Sequence, residues 1–235
     1  MEAIVLCGGL GTRLRSVLKD RPKPMAPVGD KPFLTFIFKY LKAQGVKRVV
    51  LAVSYQYSKI QNYFKDEFLG LEIAYSIEKE PLGTGGALQL ALTLTQQKEI
   101  FVLNGDTIFD IPLKQLKLEN SKLCMALKKM SNFERYGCVE LDENGFIKLF
   151  KEKKPTKEGL INGGIYLVSE DIFSGFYLKD KFSFEDFLQK NFKKLIARAE
   201  IFEDYFIDIG VPSDYELFCS LEKTKDNALS FFKIT

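Results

Sequence analysis

The chain has 235 residues, 34 of them basic and 31 acidic, for a net charge of +3. A balance this close to neutral argues against a nucleic-acid or membrane surface as partner. With no histidine and no tryptophan, Ser-His-Asp hydrolysis, Cys-His proteolysis, histidine-ligated zinc and imidazole acid–base catalysis are excluded.

Carboxylates, lysine, arginine, backbone amides and a bound cation are the chemistry that remains. Hydrophobic residues make up 46% of the chain and charged residues 28%, an ordinary globular composition for one large domain. No stretch approaches eighteen uninterrupted apolar residues, and residues 1–9 lack the basic start and small-residue cleavage site of a signal peptide. A cytoplasmic location is therefore expected, with no membrane partner. Cys7, Cys124, Cys138 and Cys219 are scattered and form no CxxC pair, so they read as reduced core or near-core thiols.

Taken in chain order, β-branched runs at 3–7, 48–53 and 101–104 predict strands. Between them, residues 33–41 place Phe33, Ile37, Tyr40 and Leu41 on one helical face, and residues 85–94 repeat Leu88, Ala91 and Leu92 at similar spacing. Strand, helix, strand in this order predicts an α/β fold of Rossmann-like type: a mixed, mostly parallel sheet flanked by helices. Ligands of such sheets bind beyond the carboxyl ends of the strands, which directs attention to the loops after Cys7 and Asn104. From about residue 123 the pattern becomes β-rich, with runs at 123–127, 137–141, 147–150 and 165–168 and a hairpin turn at 142–145. Helical pattern returns at 184–195 and about 213–221, and residues 222–235 are less clearly patterned.

The first chemical motif is Cys7-Gly-Gly-Leu-Gly-Thr-Arg-Leu-Arg15, directly after the first predicted strand. Glycines there let backbone N–H groups turn toward a bound anion. A Walker loop would end in Gly-Lys-Ser/Thr, and a dinucleotide fingerprint starting at Gly9 would need glycine where Leu14 stands. A merely tight turn is the plainer alternative, although it would not require Thr12 and Arg13 at its apex. The second motif runs from Arg21 to Pro32 and holds four prolines from Pro22 onward. Prolines on both sides of Lys23 fix the backbone and lower the entropy lost in aiming that lysine. A rigid connector with solvated charges is the alternative.

Further motifs follow in order: Glu80-Pro-Leu-Gly-Thr-Gly-Gly-Ala-Leu88, Asn104-Gly-Asp-Thr107, Phe150-Lys-Glu-Lys153, Asn162-Gly-Gly-Ile-Tyr166 and Ile207-Asp-Ile-Gly-Val-Pro-Ser-Asp-Tyr215. Together with the first two, they resemble the sugar-1-phosphate nucleotidylyltransferases over nearly the whole chain. Within that family, residues 14–34 are more similar to the bacterial D-glycero-α-D-manno-heptose 1-phosphate guanylyltransferases than to thymidylyl or uridylyl relatives. The resemblance implies one nucleotidyltransferase domain over 1–235, with a nucleotide-binding half at about 1–106, a β-rich sugar-phosphate-binding half at about 107–210 and a C-terminal helical tail at about 211–235. It implies a nucleoside triphosphate, GTP favoured, and a sugar 1-phosphate as partners, GDP-heptose for surface glycans as product, and leaves a homo-oligomer open. Mannose 1-phosphate guanylyl transfer, glucose 1-phosphate thymidylyl or uridylyl transfer and, more remotely, a non-catalytic regulatory subunit are the alternatives.

Residue by residue, Arg13, Lys23 and Asp106 are the implied catalytic groups. Leu6, Gly8, Gly9, Gly11, Thr12, Glu80, Gly83 and Thr84 join them in holding the nucleotide. Asn104, Gly137, Glu152, Lys153, Asn162 and Gly163 are implied for the sugar phosphate. Asp106 follows an apolar run, at the carboxyl end of its strand and flanked by small residues, and Asp208 lies between β-branched apolar neighbours, where a lone acid is commonly a structural carboxylate. Two in matching contexts read as paired oxygen ligands for a hard cation such as Mg²⁺, and the resemblance implies the same pair. Lys153 could equally belong to a solvated lysine face with Lys151 and Lys154. Glu78 and Glu80 draw attention because a carboxylate can accept both N1–H and N2–H of guanine; Glu80 is put forward as that reader, with a solvated glutamate as the alternative.

Overall fold

The computed structural model describes residues 1–9, 14, 18 and 21–223, the last as backbone only. The chain opens with β1 (Glu2–Leu6). The proline-rich segment forms a 3-10 turn at Lys23–Met25 and a short hairpin of β2 (Pro27–Val28) and β3 (Lys31–Pro32), followed by α1 (Leu34–Ala43). Then come β4 (Arg48–Val53), α2 (Tyr57–Phe64), β5 (Glu67–Phe68), β6 (Leu71–Ile77), α3 (Gly83–Leu92) and β7 (Glu99–Asn104). The second half carries β8 (Thr107–Phe109), β9 (Leu123–Phe133), β10 (Cys138–Leu141), β11 (Ile147–Lys151) and β12 (Thr156–Ser169). It ends with α4 (Phe184–Asn191), β13 (Arg198–Phe202), β14 (Phe206–Asp208) and α5 (Pro212–Lys223).

At the centre, β6, β4, β1 and β7 lie side by side in that order and run parallel. β12 joins β7 antiparallel and extends the same sheet into the strand-rich half, where it also meets β9 and β10. The predicted α/β architecture with a mixed sheet is the one observed. The central strands are covered on both faces, which is why they read as continuous apolar runs. Along β1, Ala3 and Val5 face one core with Val49, Leu51, α1 and α5, while Ile4 faces the other with Val50, α3 and α4.

Some elements escaped the sequence reading: α2, β6 and β13 were not predicted. β12 is far longer than the 165–168 run, because its first half is half-exposed and lacks an unbroken apolar stretch. The helix expected at 184–195 ends as α4 at Asn191. The 142–145 turn is as expected: Asp142 Oδ1 accepts from the N–H groups of Asn144 and Phe146, both at 2.9 Å. None of the four cysteines forms a disulfide; Cys7 and Cys124 are buried and the other two half-buried. No described helix is long and apolar enough to cross a membrane.

Candidate active site

In the parallel core the chain goes from β1 outward to β4 and β6, then returns to the other side of β1 as β7. Such a reversal opens a crevice at the carboxyl ends of the two strands involved. Leu6, Cys7, Gly8 and Gly9 leave β1 there, and Asn104, Gly105 and Asp106 leave β7. The backbone N–H of Gly105 donates to Leu6 O at 2.9 Å, and Ser54 Oγ donates to Gly8 O at 2.7 Å.

Two cavities meet at this crevice. One, of about 380 Å³, is lined by the residues just named, by Lys23 and Glu78, and by Gly83, Thr84 and Ala87 of α3. The other, of about 540 Å³, lies over the strand-rich half and is lined by Gly137, Glu152, Lys153, Asn162, Gly163 and Asp208 among others. Asn104, Asp106 and Glu185 line both. The expected nucleotide residues Leu6, Gly8, Gly9, Lys23, Gly83, Thr84 and Asp106 are thus brought together in the first cavity. All six expected sugar-phosphate residues line the second. Gly11, Thr12 and Arg13 lie outside the described residues.

At the junction, the Lys23 ammonium is ion-paired with Asp106 Oδ2. The 3-10 turn holds it there: Met25 N–H donates to Pro22 O at 2.8 Å and Ala26 N–H to Lys23 O at 3.0 Å. Asp106 Oδ1 accepts from the Thr107 hydroxyl at 3.1 Å. β14 pairs antiparallel with β8, setting Asp208 opposite Thr107, and so carries Asp208 to the side of Asp106. Asp208 Oδ1 accepts from Gly210 N–H at 2.7 Å and its Oδ2 from the Tyr136 hydroxyl at 3.4 Å. Burial, and then the charge of Asp106, push the Asp208 carboxyl above its ordinary range, against the opposing pull of Lys23 and Arg135. Burial and the neighbouring Asp208 raise the Tyr136 hydroxyl to about 12, so it stays protonated and donates. Cys7 beneath them is pushed up by burial and by Asp106 and is no nucleophile at neutral pH.

This donor set fits a hard divalent cation. Two carboxylates lie side by side, one destabilised by the other, with oxygen donors only. Among the described residues no third carboxylate or cysteine completes a cage, so phosphate oxygens and water would supply the remaining ligands.

The two glutamates considered as base readers are placed differently. Glu80 is exposed and lines neither cavity, whereas Glu78 is 8% exposed and lines the first. Glu78 Oε2 accepts from Leu82 N–H at 2.8 Å. A Cβ on Gly8 would stand 2.5 Å from its Oε1, so a larger residue there would push this carboxylate aside. Burial raises the Glu78 carboxyl above its ordinary range, with the Leu82 N–H pulling the other way. At the start of α3, Gly83 has φ +74°, and its Cβ position lies 2.5 Å from Phe182 O. Thr84 lines the cavity, but its hydroxyl is engaged: it donates to Glu185 Oε2 at 2.7 Å and accepts from Phe184 N–H at 2.8 Å.

In the second cavity, the pairing of β12 with β9 shifts between Asn162 and Tyr166. This bulge carries Gly163 and Gly164, and bulges commonly re-aim a strand beside a site. The Asn162 amide is tied at both ends, donating to Tyr166 Oη at 2.6 Å and accepting from Gly164 N–H at 3.0 Å. Within the lysine run, Lys154 stays outside the cavity and Lys151 is ion-paired with Glu140. Lys153 lines the cavity and makes no ion pair among the described residues. The sequence reading missed Arg135, Tyr136, Glu185, Asp186 and Gln189, which also line it. Arg135 and Tyr136 directly precede Gly137, a signal that was available. Arg135 reaches Asp214 at the start of α5 at 2.5 Å.

Residues 2–223 match the Nucleotidyl transferase family. The chain is 65% identical to D-glycero-alpha-D-manno-heptose 1-phosphate guanylyltransferase of Campylobacter jejuni, over 93% of this chain and 98% of that one. It is 47% identical to the enzyme of the same name from Aneurinibacillus thermoaerophilus, over 92% and 95% of the two chains. In three dimensions it resembles HddC from Yersinia pseudotuberculosis, solved in complex with GMP-PN, with a TM-score of 0.81, 36% identity and 95% and 99% of the two chains covered. The chain belongs to the nucleotidyl transferase family.

Proposed function

We propose that the protein transfers GMP from GTP to D-glycero-α-D-manno-heptose 1-phosphate, giving GDP-heptose and pyrophosphate. The observation that carries this reading is the meeting of two cavities at Asp106, with Lys23 and Asp208 at the same point. The reaction joins two anions, and this is where they would be joined. The heptose and the guanine are supported by the identity to the two heptose guanylyltransferases.

The attacking oxygen belongs to the sugar 1-phosphate, which is already ionised at neutral pH. No general base is required, in keeping with a chain that has no histidine. What the protein supplies is position and charge. The turn at Gly8 and Gly9 would hold the triphosphate, and Lys23 would neutralise charge on the α-phosphoryl group. Glu78 would accept N1–H and N2–H of guanine. Lys153 would orient the sugar phosphate for in-line attack on the α-phosphorus, as the bond to the pyrophosphate oxygen breaks. Asp106 and Asp208 would hold Mg²⁺, which when bound supplies charge neutralisation between the two phosphates. Glu152 and the main chain around Gly137 and Gly163 would face the sugar.

The test is product identification after incubation with GTP, heptose 1-phosphate and Mg²⁺. Stoichiometric GDP-heptose and pyrophosphate are expected. Hydrolysis of GTP independent of the sugar phosphate would overturn the proposal.

A further inference from the structure

The sugar cavity contains a wall that the reaction itself does not use. Helix α4 is preceded by Ser183, whose hydroxyl caps it by accepting from Asp186 N–H at 3.1 Å. Glu185, in its first turn, lines both cavities, whereas Asp186, Leu188 and Gln189 line the sugar cavity alone. The helix therefore starts at the junction and follows the second cavity away from it. Glu185 to Gln189 is a rise of about 6 Å, roughly the width of a pyranose ring. Asp186 and Gln189, three residues apart, share the face turned to the cavity.

Several other polar groups of this cavity are committed. Asn162 is held by Tyr166 and Gly164, Glu185 by Thr84 and Ser183, and Arg135 by Asp214. Glu152 follows the end of β11 and so faces the cavity from the strand-rich side rather than from this wall. The Asp186 carboxylate and the Gln189 amide have no hydrogen-bond partner among the described residues, and neither is within the Asp106–Asp208 pair. With C1 and its phosphate at the junction for attack on the α-phosphorus, the α4 wall would lie within reach of the exocyclic carbons of the sugar. A heptose differs from mannose there by one extra hydroxylated carbon, which presents a vicinal diol. A carboxylate acceptor beside an amide that both donates and accepts suits such a diol.

Resting on the heptose reading above, we infer that Asp186 and Gln189 are the specificity-determining residues that grip the C6 and C7 hydroxyls and separate heptose from hexose 1-phosphates. Both are exposed side chains on a capped helix, so their replacement leaves the core untouched.

The experiment compares kcat/KM for heptose 1-phosphate and mannose 1-phosphate, with GTP saturating, in the wild type, Gln189→Ala and Asp186→Asn. The wild type is expected to prefer the heptose. Each variant is expected to lose about 10- to 100-fold on the heptose, the size of one lost hydrogen bond to a charged or amide group, and clearly less on mannose, which keeps a C6 hydroxyl but has no C7 hydroxyl to lose. The mannose rate serves as the check on folding. A wild type preferring heptose whose variants keep that preference, or lose both sugars equally, overturns the inference and leaves the activity standing. A wild type that does not distinguish the sugars overturns the heptose reading and the inference with it.

Discussion

The N–H of Ile209 donates to the carbonyl of Asp106 at 2.9 Å. That bond continues the β8–β14 ladder by one residue and fixes the two site carboxylates, 102 positions apart in the chain, as neighbours. The proximity has a cost, which shows in the Asp208 carboxyl.

Because that carboxyl is held above its ordinary value, the folded state binds its proton more tightly than the unfolded chain does. The stability this contributes is present below the ordinary aspartate value and is lost as pH rises through the raised one. Asp208→Asn removes the loss. In metal-free buffer at pH 7.5 the variant is expected to melt no lower than the wild type and up to about 2–4 °C higher. Millimolar Mg²⁺ should raise the melting temperature of the wild type alone. Equal stabilisation of both by Mg²⁺, read by differential scanning calorimetry, would place the cation elsewhere.

Glu78 should show itself in pH dependence. It accepts from guanine only when ionised, so GTP affinity is complete above its raised value and declines as pH falls through it, beginning at a higher pH than for an exposed glutamate. Glu78→Gln is expected to raise KM for GTP by about 10- to 100-fold and to abolish this acid limb. Glu80→Gln, on an exposed residue outside the cavity, should leave both unchanged in the same initial-rate measurements.

Lys153 and Lys154 differ by one position and lie on opposite sides of the cavity boundary. Lys153→Ala is expected to raise KM for the sugar 1-phosphate at least tenfold with little change in KM for GTP, the loss of one charge-assisted contact of about 1.5–3 kcal/mol. Lys154→Ala should match the wild type. Equal effects of Lys153→Ala on both substrates would remove its assigned role.

Helix α5 braces the site from behind. Phe218 is fully buried, with ring centroids 5.2 Å from Phe33 and 5.3 Å from Phe36 in edge-on contacts, and the Tyr215 hydroxyl donates to Pro27 O in the segment that presents Lys23. Phe218→Ala should destabilise the protein by about 3–5 kcal/mol. Urea titration followed by circular dichroism measures it; a change below about 1 kcal/mol would mean the helix packs more loosely than described.

Much of this was legible in the chain because the decisive elements are local. The apolar runs of β1, β4 and β7 and the glycines and acids at their ends sit within a few residues of one another, so the crevice could be placed before the structure was known. Asp106 and Asp208 could be paired because each carries its own apolar strand. What was illegible depends on contacts across the fold. Glu78 and Glu80 have similar neighbours in sequence, and only the end of β6 decides which one turns inward. Asp186 and Gln189 belong to no motif in the sequence, and only the placement of α4 along the cavity brings them to it. Of the first seven positions of β12 only Ile161 is buried, so no apolar run announced it.

The most direct test is a panel of initial rates of pyrophosphate release crossing GTP, dTTP, UTP, CTP and ATP with the 1-phosphates of D-glycero-α-D-manno-heptose, mannose and glucose. The account predicts one dominant combination, GTP with the heptose, exceeding every other by at least about tenfold. A larger rate with a pyrimidine nucleotide, or no release with any pair, would contradict it.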